Sequence, residues 1–429
     1  MTAARRLATA LLGLALTASA AAETLVIVGA DARLPTAPGR IEAATIVIRD
    51  GRIVAIGAGL PVPAGARVID ARGQIVTAGL MSAGSQLAIV EIEGVAADDS
   101  VASGALGAAF DVEYALNSNS TALAVARADG LTRAVSYPTS SAEPPFDGAA
   151  LLLRLGQGAD LIERPRAGLF VTTGGMAAAR VGGSRAAEWS LLRRALDEAR
   201  SCRSQPSDCR LAGAGQLLQS RANREALLPV LERRIPLAIS ASRESDLRAA
   251  IGLADDYRIR VAIYGGAEAW RVAPLLAARG IAVVLNPFAN LPATFDEIGA
   301  RPDNAALLER AGVTIAFAVP GIFGTHNAGL IVREAAGIAV AHGLPWQAAL
   351  AALTRNPARI WGIDDHYGTL AAGLDADLVI WSGDPLEPAS RAERVLVRGE
   401  EVSLQTRQTQ LRDRYSPTHA NDPWPPAYR

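Results

Sequence analysis

Apolar and polar positions follow two patterns that divide the chain. Near the N-terminus, TLVIVGA, TIVIRDGRIVAIG and RVIDARGQIV read as short strands, and Asp50-Gly51 is typical of a two-residue hairpin turn. The C-terminal segments DADLVIWSGD and ERVLVRGEEVSL have the same texture, with Arg398-Gly399 as another turn. We therefore predict one small β-sandwich formed from both chain ends, residues 23–76 and 367–405.

The middle of the chain, residues 77–366, alternates apolar strands with helical stretches. RIPLAIS, RIRVAIY, IAVVLNP and VTIAFAV are each followed by a helical pattern. Strands that are apolar on both faces favour a parallel sheet covered by helices, and the length suits a (β/α)8 TIM-type barrel. A doubly wound open sheet is the alternative, but no G-x-G-x-x-G follows a strand, and LGQGADL does not supply one. The predicted fold class is α/β, a (β/α)8 barrel plus the composite β-sandwich.

The N-terminus has the pattern of a targeting segment, and the C-terminus has the composition of an extended tail. Residues 1–22 carry two arginines, an apolar run and the small-residue sequence TASAAA, the order of a secretory signal peptide. A membrane anchor is the alternative, but the apolar run is shorter than the ~20 residues needed to span a bilayer. We expect an exported, periplasmic protein with no membrane span after signal removal. Residues 406–429 predict a Pro-rich C-terminal tail.

Composition excludes several chemistries. The chain has no lysine, so all 42 basic residues are arginine, and Schiff-base, P-loop and carboxylated-lysine mechanisms are impossible. A formal net charge of −1 does not indicate a nucleic-acid partner. Cys202 and Cys209 flank the polar segment RSQPSD, and an oxidising compartment would allow a local disulfide. A two-cysteine zinc site is the competing interpretation, weakened by the absence of a nearby histidine.

Two segments resemble the amidohydrolase superfamily, in its imidazolonepropionase-like and prolidase-like branch. The strand TAGLMSAGSQL resembles the family's P-G-L-I-D-x-H-x-H, and Ala349–Pro385 resembles its T-x-N-P-A-x-x-L-G...G-x-L-x-x-G-x-D-A-D-L-V-V pattern. The resemblance covers essentially the whole mature chain. It implies a barrel whose strand ends hold one or two divalent metals for hydrolysis of a carbon–nitrogen bond.

The expected metal ligands are replaced one by one. Gly84 and Gln86 stand where the His-x-His pair would be, Ser240 and Tyr264 replace two later histidines, and Pro320 lies where an aspartate should end the last strand. Glycine has no side chain, and a glutamine amide is a poor transition-metal ligand. We therefore predict no metal and no cofactor at the usual site.

Polar residues near the predicted barrel mouth are the remaining candidates. His326 is the histidine on a strand-to-helix loop there, and Glu268 would be a base if Trp270 desolvated it. A helix-end role is the structural alternative for both. The candidate catalytic residues are His326, Glu268 and Asp296, and the candidate pocket residues are Gln86, Glu91, Ser240, Tyr264, Trp270 and Asn286.

The other histidines do not assemble a family-type metal site. His342 lies at a predicted helix end, and His419 belongs to the Pro-rich tail. His366 has Asp364 and Asp365 beside it, which we interpret as a chance combination rather than a metal trio.

Two function classes follow from these patterns. The resemblance implies a hydrolase of non-peptide or dipeptide-like carbon–nitrogen bonds, whereas the residues present favour a metal-free chain that is degenerate at the usual site. The alternative is a non-catalytic binding or regulatory partner of an active amidohydrolase homologue. The expected partners are a small-molecule or short-peptide ligand and a homologous amidohydrolase subunit.

Overall fold

A computed structural model describes residues 24–92, 96–204 and 217–416. The predicted signal peptide, most of the predicted tail and Cys209 lie outside these ranges. The described strands are β1 (Leu25–Arg33), β2 (Arg40–Arg49), β3 (Arg52–Ala58), β4 (Arg67–Asp70), β5 (Ile75–Ala78), β6 (Leu80–Ser85), β7 (Val90–Ile92), β8 (Ala96–Ala97), β9 (Leu131–Ser136), β10 (Phe146–Arg154), β11 (Ile162–Thr172), β12 (Leu237–Ala241), β13 (Val261–Gly265), β14 (Ala282–Leu285), β15 (Ile315–Phe317), β16 (Leu378–Trp381), β17 (Ala392–Val397) and β18 (Glu400–Glu401).

The described helices lie mainly between the barrel strands and after them. They are α1 (Thr121–Ala128), α2 (Gly175–Ala178), α3 (Arg185–Ser204), α4 (Arg221–Leu231), α5 (Glu244–Tyr257), α6 (Ala273–Arg279), α7 (Asn304–Arg310), α8 (Ile322–His326), α9 (Ala328–Ala341), α10 (Trp346–Leu353), α11 (Arg355–Trp361) and α12 (Arg407–Tyr415). Within the described ranges, no helix combines the length and apolar composition that crossing a bilayer requires.

The chain ends form one β-domain, as predicted. Its sheet has the order β18-β17-β16-β5-β1-β2-β3, and β4 also pairs with β1. Asp50 and Gly51 both have positive φ and join paired residues of β2 and β3, so this is a two-residue hairpin turn of the primed type. Arg398 and Gly399 make the corresponding turn between β17 and β18. The strands therefore form one hydrogen-bonded sheet, in which β1 pairs with β2 and also with both β4 and β5.

The barrel is a nearly closed sheet with the order β15-β14-β13-β12-β11-β10-β9-β6. Its pairs are parallel except those of β10, which is antiparallel to both β9 and β11. The all-parallel arrangement predicted for residues 77–366 is therefore wrong at β10. The physical reason is connection length: the short segments before and after β10 hold no helix, and a parallel crossover needs about a dozen residues or more.

Two apolar layers hold the barrel together. Outside it, the strands pack against the surrounding helices in the largest buried cluster. Inside it, small residues such as Ala83, Ala238, Ala262 and Ala316 face one another, and aromatic rings fill the space that they leave. The barrel interior is thus a packed core rather than a pore, as the close packing of protein interiors requires.

The C-terminal segment differs in part from the predicted tail. Residues 407–415 form α12, which begins with a capping box in which the Thr406 and Thr409 side chains each accept the other residue's backbone N–H. This reciprocal cap satisfies backbone donors that a helix start would otherwise leave unpaired. The tail prediction therefore missed a helix that a capping signature indicates. His419 lies outside the described residues.

Candidate binding site at the barrel mouth

The end of β6 shows why the barrel mouth departs from a metal site. Gly84 is buried, and a Cβ built on it would lie 2.9 Å from a ring carbon of Tyr137 and 2.9 Å from one of Tyr264. Real Cβ atoms do not approach so closely, so the two rings occupy the space that a histidine at this position needs. Glycine at position 84 is therefore required by close approach rather than by backbone conformation.

Four aromatic rings form a cluster below the mouth. The Tyr137 and Phe170 rings are stacked with centroids 4.2 Å apart, Tyr264 meets Phe170 edge-on at 5.0 Å, and Trp361 stacks on Phe170 at 5.9 Å. Such pairs each contribute about 0.5–1.5 kcal/mol beyond their buried area. The cluster is consequently a stable floor.

The Tyr264 hydroxyl is committed as a hydrogen-bond donor. It donates to the carbonyl oxygen of Ala83 at 2.5 Å, and burial raises the pKa of Tyr264 well above its usual value. A phenolate ligand would require the opposite shift. Tyr264 therefore does not offer the anionic oxygen that a metal would need.

Gln86 is held by neighbouring protein groups. It is buried, its Nε2 donates to the Tyr137 carbonyl oxygen at 3.5 Å, and its Oε1 accepts from Thr325 Oγ1 at 3.4 Å. A divalent metal needs about three converging N, O or S donors. Here the space beside Gly84 is occupied by two tyrosine rings, the Tyr264 hydroxyl donates to a backbone carbonyl, and the Gln86 amide is hydrogen-bonded to protein groups. The residues present therefore do not fit such a metal.

Above the aromatic floor lies a cavity of about 370 Å³. Its lining includes the predicted residues Ser240, Tyr264 and Asn286, whereas Gln86, Glu91 and Trp270 do not line it. The residues that sequence reasoning missed are Tyr137, Thr139, Phe170, Thr172, Ser242, Glu297, Arg301 and Asn304. Apolar rings at the base and hydroxyl, amide and charged groups around them are the usual composition of a small-molecule site.

Asn304 is the most informative residue of this lining. It is 8% exposed, its Nδ2 donates to the Gly266 carbonyl oxygen at 2.9 Å, and its Oδ1 has no hydrogen-bond partner among the described residues. A buried acceptor without a donor costs about 1–3 kcal/mol. A ligand N–H or O–H would satisfy it. In the sequence, Asn304 stands at the start of a helix and resembles a capping residue, which hides this role.

The three predicted catalytic residues are held by separate partners. Glu268 accepts backbone N–H groups of Glu244 at 2.8 Å and Gly299 at 3.1 Å, so it ties two loops together. The predicted desolvating neighbour Trp270 donates to the Gly299 carbonyl oxygen instead. None of these groups lines the cavity.

Asp296 and His326 are equally occupied. Asp296 accepts the Gly175 N–H at 2.9 Å and pairs with Arg185. Burial raises the pKa of Asp296, but these two partners outweigh it and hold that pKa below its usual value. His326 Nε2 meets the carbonyl oxygen of Glu91 at 2.5 Å. His326, Glu268 and Asp296 do not form a group of metal-ligand atoms within 4.8 Å of one another in the described part of the chain. Their catalytic role stays a prediction.

The one such group among the described residues is Glu163, His366 and Asp375. It lies at the opposite end of the barrel, where Arg133 Nε is 2.7 Å from Glu163 and Arg133 Nη2 is 3.2 Å from Asp375. The contact between Arg133 Nε and Glu163 is an ion pair but not a hydrogen bond, because the Nε–H of Arg133 does not point at the carboxylate oxygen. A guanidinium already supplies the positive charge here, so the group is an ion-pair network. The combination of His366 with Asp364 and Asp365, which we interpret from the sequence as chance, is not this group.

Cys202 lies near the end of α3 and is disulfide-bonded. Cys209 lies outside the described residues, so the predicted pairing of these two cysteines stays a prediction.

We expect Gly84→Ala to lower the free energy of unfolding by about 1–3 kcal/mol, the usual effect of overpacking a filled core. The added Cβ would have to displace both tyrosine rings. Urea unfolding of the purified variant measures this effect. Gly156→Ala is the control, because its Cβ would meet its nearest neighbour at 3.8 Å. Equal stability of the two variants would mean that the rings give way and position 84 is free.

Comparisons with known proteins agree with the fold. Residues 268–405 match the amidohydrolase family. Over 73 residues, 17% of this chain, the sequence is 41% identical to "Amidohydrolase tasK" of Hapsidospora irregularis, and this stretch spans 7% of that relative's length.

Solved structures extend the likeness to most of the chain. An amidohydrolase from Thermotoga maritima MSB8 has a TM-score of 0.79 at 24% identity, covering 88% of this chain and 99% of the other. A prolidase complexed with N-methylphosphonate-L-proline has a TM-score of 0.51 at 18% identity, covering 89% of this chain and all of the other. The molecule is thus a TIM-type barrel with a separate β-domain, the architecture of amidohydrolases. The family match confirms the predicted resemblance to amidohydrolases over residues 268–405, and the solved structures confirm the predicted fold.

Proposed function

We propose that this chain is a metal-free relative of carbon–nitrogen hydrolases that binds a small molecule or short peptide at its barrel mouth. The observation that carries the proposal is the filled position above Gly84, where ring carbons of Tyr137 and Tyr264 stand 2.9 Å from the place that a Cβ would take. A barrel that retains its mouth cavity while protein atoms fill the metal position is suited to binding rather than to metal-assisted hydrolysis.

The cavity indicates the chemistry of the ligand. Its aromatic floor favours a flat apolar group, and the unpaired Asn304 Oδ1 favours an N–H or O–H donor. Arg301 at the rim is already paired with Asp303, so it does not call for a strongly anionic ligand. A neutral amide or a dipeptide-like molecule meets these requirements. We also propose export to the periplasm, because the first 22 residues have the pattern of a signal peptide.

The test is made on the mature protein after chelation. Elemental analysis should find well below one transition-metal ion per chain, and chelator should leave the thermal midpoint unchanged. N-acetylproline amide and Ala-Pro, used as probes, should raise the thermal midpoint without being hydrolysed, since a bound ligand stabilises the folded state by mass action. Asn304→Leu should abolish the rise, whereas the exposed Asn119→Leu should retain it.

Two results would contradict the proposal. Stoichiometric zinc that survives chelation, together with a hydrolase activity lost in His326→Ala, would show a working enzyme with relocated ligands. Absence of any probe-induced shift across a wider set of amides would show that the cavity does not bind this class.

One observation favours the second candidate, a regulatory subunit of an active homologue. Large apolar side chains stand exposed beside the mouth, with Leu291 at 75%, Phe295 at 89% and Phe323 at 77% exposure. Exposed apolar groups of this size often mark a protein interface. A stable complex with a co-expressed amidohydrolase, weakened by Phe295→Ser, would favour this function over ligand binding alone.

A further inference from the structure

A second and larger cavity lies at the opposite end of the barrel. It measures about 560 Å³ and opens where β12, β13, β14 and β15 begin. Its lining carries five arginines and one aspartate: Arg233, Arg258, Arg260, Arg279, Arg359 and Asp255. No feature of the proposed function uses this end of the barrel.

Most of the positive charge in this cavity is not neutralised by the protein. Asp255 Oδ2 pairs with Arg279 Nε at 2.7 Å, and Arg260 donates to the Ile360 carbonyl oxygen at 2.9 Å. The side chains of Arg233, Arg258 and Arg359 have no hydrogen bond or ion pair with any residue in the described ranges. Burial, with Arg164 and Arg233 nearby, holds the pKa of Arg260 below its usual value. Five arginines therefore stand beside two acidic groups, Asp255 on Arg279 and Asp364 near Arg260, so positive charge is in excess here.

The backbone indicates that two of these arginines are placed at a cost. Four successive helices return to the barrel strands through a residue with positive φ: Arg233, Arg258, Gly280 and Gly312, at φ values of 62°, 53°, 63° and 81°. Glycine is the usual residue there, because an L side chain is disfavoured in this conformation. Arg233, Arg258 and Gly280 line the cavity, so two of its three positive-φ positions carry a guanidinium in place of the usual glycine.

Guanidinium chemistry defines the class of ligand. Arginine presents a planar set of N–H donors that matches phosphate and carboxylate oxygens, and charge-assisted bonds of this kind are among the strongest in proteins. A cavity of this volume accommodates a small organic phosphate. We propose that the cavity at the N-terminal end of the barrel, remote from the mouth, binds a phosphoryl oxyanion. The side chains of Arg233, Arg258 and Arg359 hold the oxyanion there.

The experiment measures the binding of inorganic pyrophosphate, the probe, to the mature protein by isothermal titration calorimetry. We expect saturable binding that weakens as sodium chloride is added, because salt screens exposed charges. The double variant Arg233→Gly/Arg258→Gly should lose affinity by at least about tenfold. Its thermal midpoint should be unchanged or higher, since glycine relieves the backbone at both positions.

A matched control separates a local site from general charge. Arg194→Gln/Arg221→Gln removes the same charge from exposed helix surfaces, where both arginines pair with glutamates, and it should bind pyrophosphate as the wild type does. Unchanged affinity in the Arg233/Arg258 variant, or an equal loss in the control variant, would overturn the proposal.

A vesicle arm identifies the source of the phosphoryl group. Co-sedimentation with phosphatidylglycerol vesicles, but not with phosphatidylcholine vesicles, and its loss in Arg233→Gly/Arg258→Gly would assign a lipid headgroup. Pyrophosphate binding without vesicle binding would assign a free phosphorylated molecule. Failure of both pyrophosphate and vesicles to bind would refute the site, and neither result bears on amide binding at the mouth.

Discussion

Replacing Arg133 by methionine should lower the free energy of unfolding by about 3–5 kcal/mol, the effect of breaking a buried ion pair from one side. Arg133 is fully buried and contacts the carboxylates of Glu163, Asp375 and Asp377, whose side chains are at most 8% exposed. Its guanidinium also lies 4.9 Å from the Tyr367 ring centroid. Methionine fills a similar volume but leaves three buried carboxylates without their main counter-charge.

Urea unfolding at neutral pH measures this loss, with Arg394→Met as the matched control. Arg394 pairs with Glu401 at 2.7 Å on the surface, and exposed pairs contribute roughly 0–1 kcal/mol. Arg133→Lys, which keeps the charge, should lose less than Arg133→Met. If Arg133→Met unfolds at the same urea concentration as Arg394→Met, the network does not hold the barrel to the β-domain.

The second large effect concerns Asp147, a buried carboxyl at the mouth that the sequence did not single out. Burial raises its pKa to about 6, although Thr172 and Arg180 bind it. The folded chain therefore keeps this proton over a pH range in which the unfolded chain, with a carboxyl pKa near 3.8, has lost it. Stability consequently falls by as much as about 3 kcal/mol as pH rises from about 4 to 6.

Asp147→Asn removes this dependence, because an amide stays neutral and still accepts the Thr172 hydrogen bond. Relative to the wild type, the free energy of unfolding of the variant should rise by about 3 kcal/mol between about pH 4 and pH 7. Urea titrations at both pH values give this difference directly. The exposed Asp160→Asn variant is the control and should run parallel to the wild type. A constant offset for Asp147→Asn would contradict the assignment.

Much of the architecture was accessible from the sequence because its signals are local. The turns at Asp50-Gly51 and Arg398-Gly399 depend on two residues each, and the barrel strands are marked by continuous apolar runs. The reversal of β10 was missed because strand direction depends on connection length, and a buried antiparallel strand has the same apolar pattern as a parallel one.

The site was less accessible because it depends on distances between remote positions. The loss of histidine at position 84 was visible, but the rings of Tyr137 and Tyr264 that fill its place come from other parts of the chain. Glu268 and His326 have the residue types of catalysis, yet their partners are backbone groups of distant loops. Residue type indicated chemistry there, whereas three-dimensional contacts assign structural roles.

The joining of both chain ends in one sheet also bears on how the chain folds. Strand β5 pairs with β16, and Trp381 donates to Thr77 across 304 positions of sequence. Contacts between such distant positions slow folding, because the intervening chain must be ordered first. Until the barrel has formed, the edge of β5 that later pairs with β16 is unpaired, and an unpaired strand edge can pair with strands of other molecules. Crowding of newly made chains should therefore compete with the final pairing of β5 and β16, which makes this step the one most dependent on protein concentration during refolding.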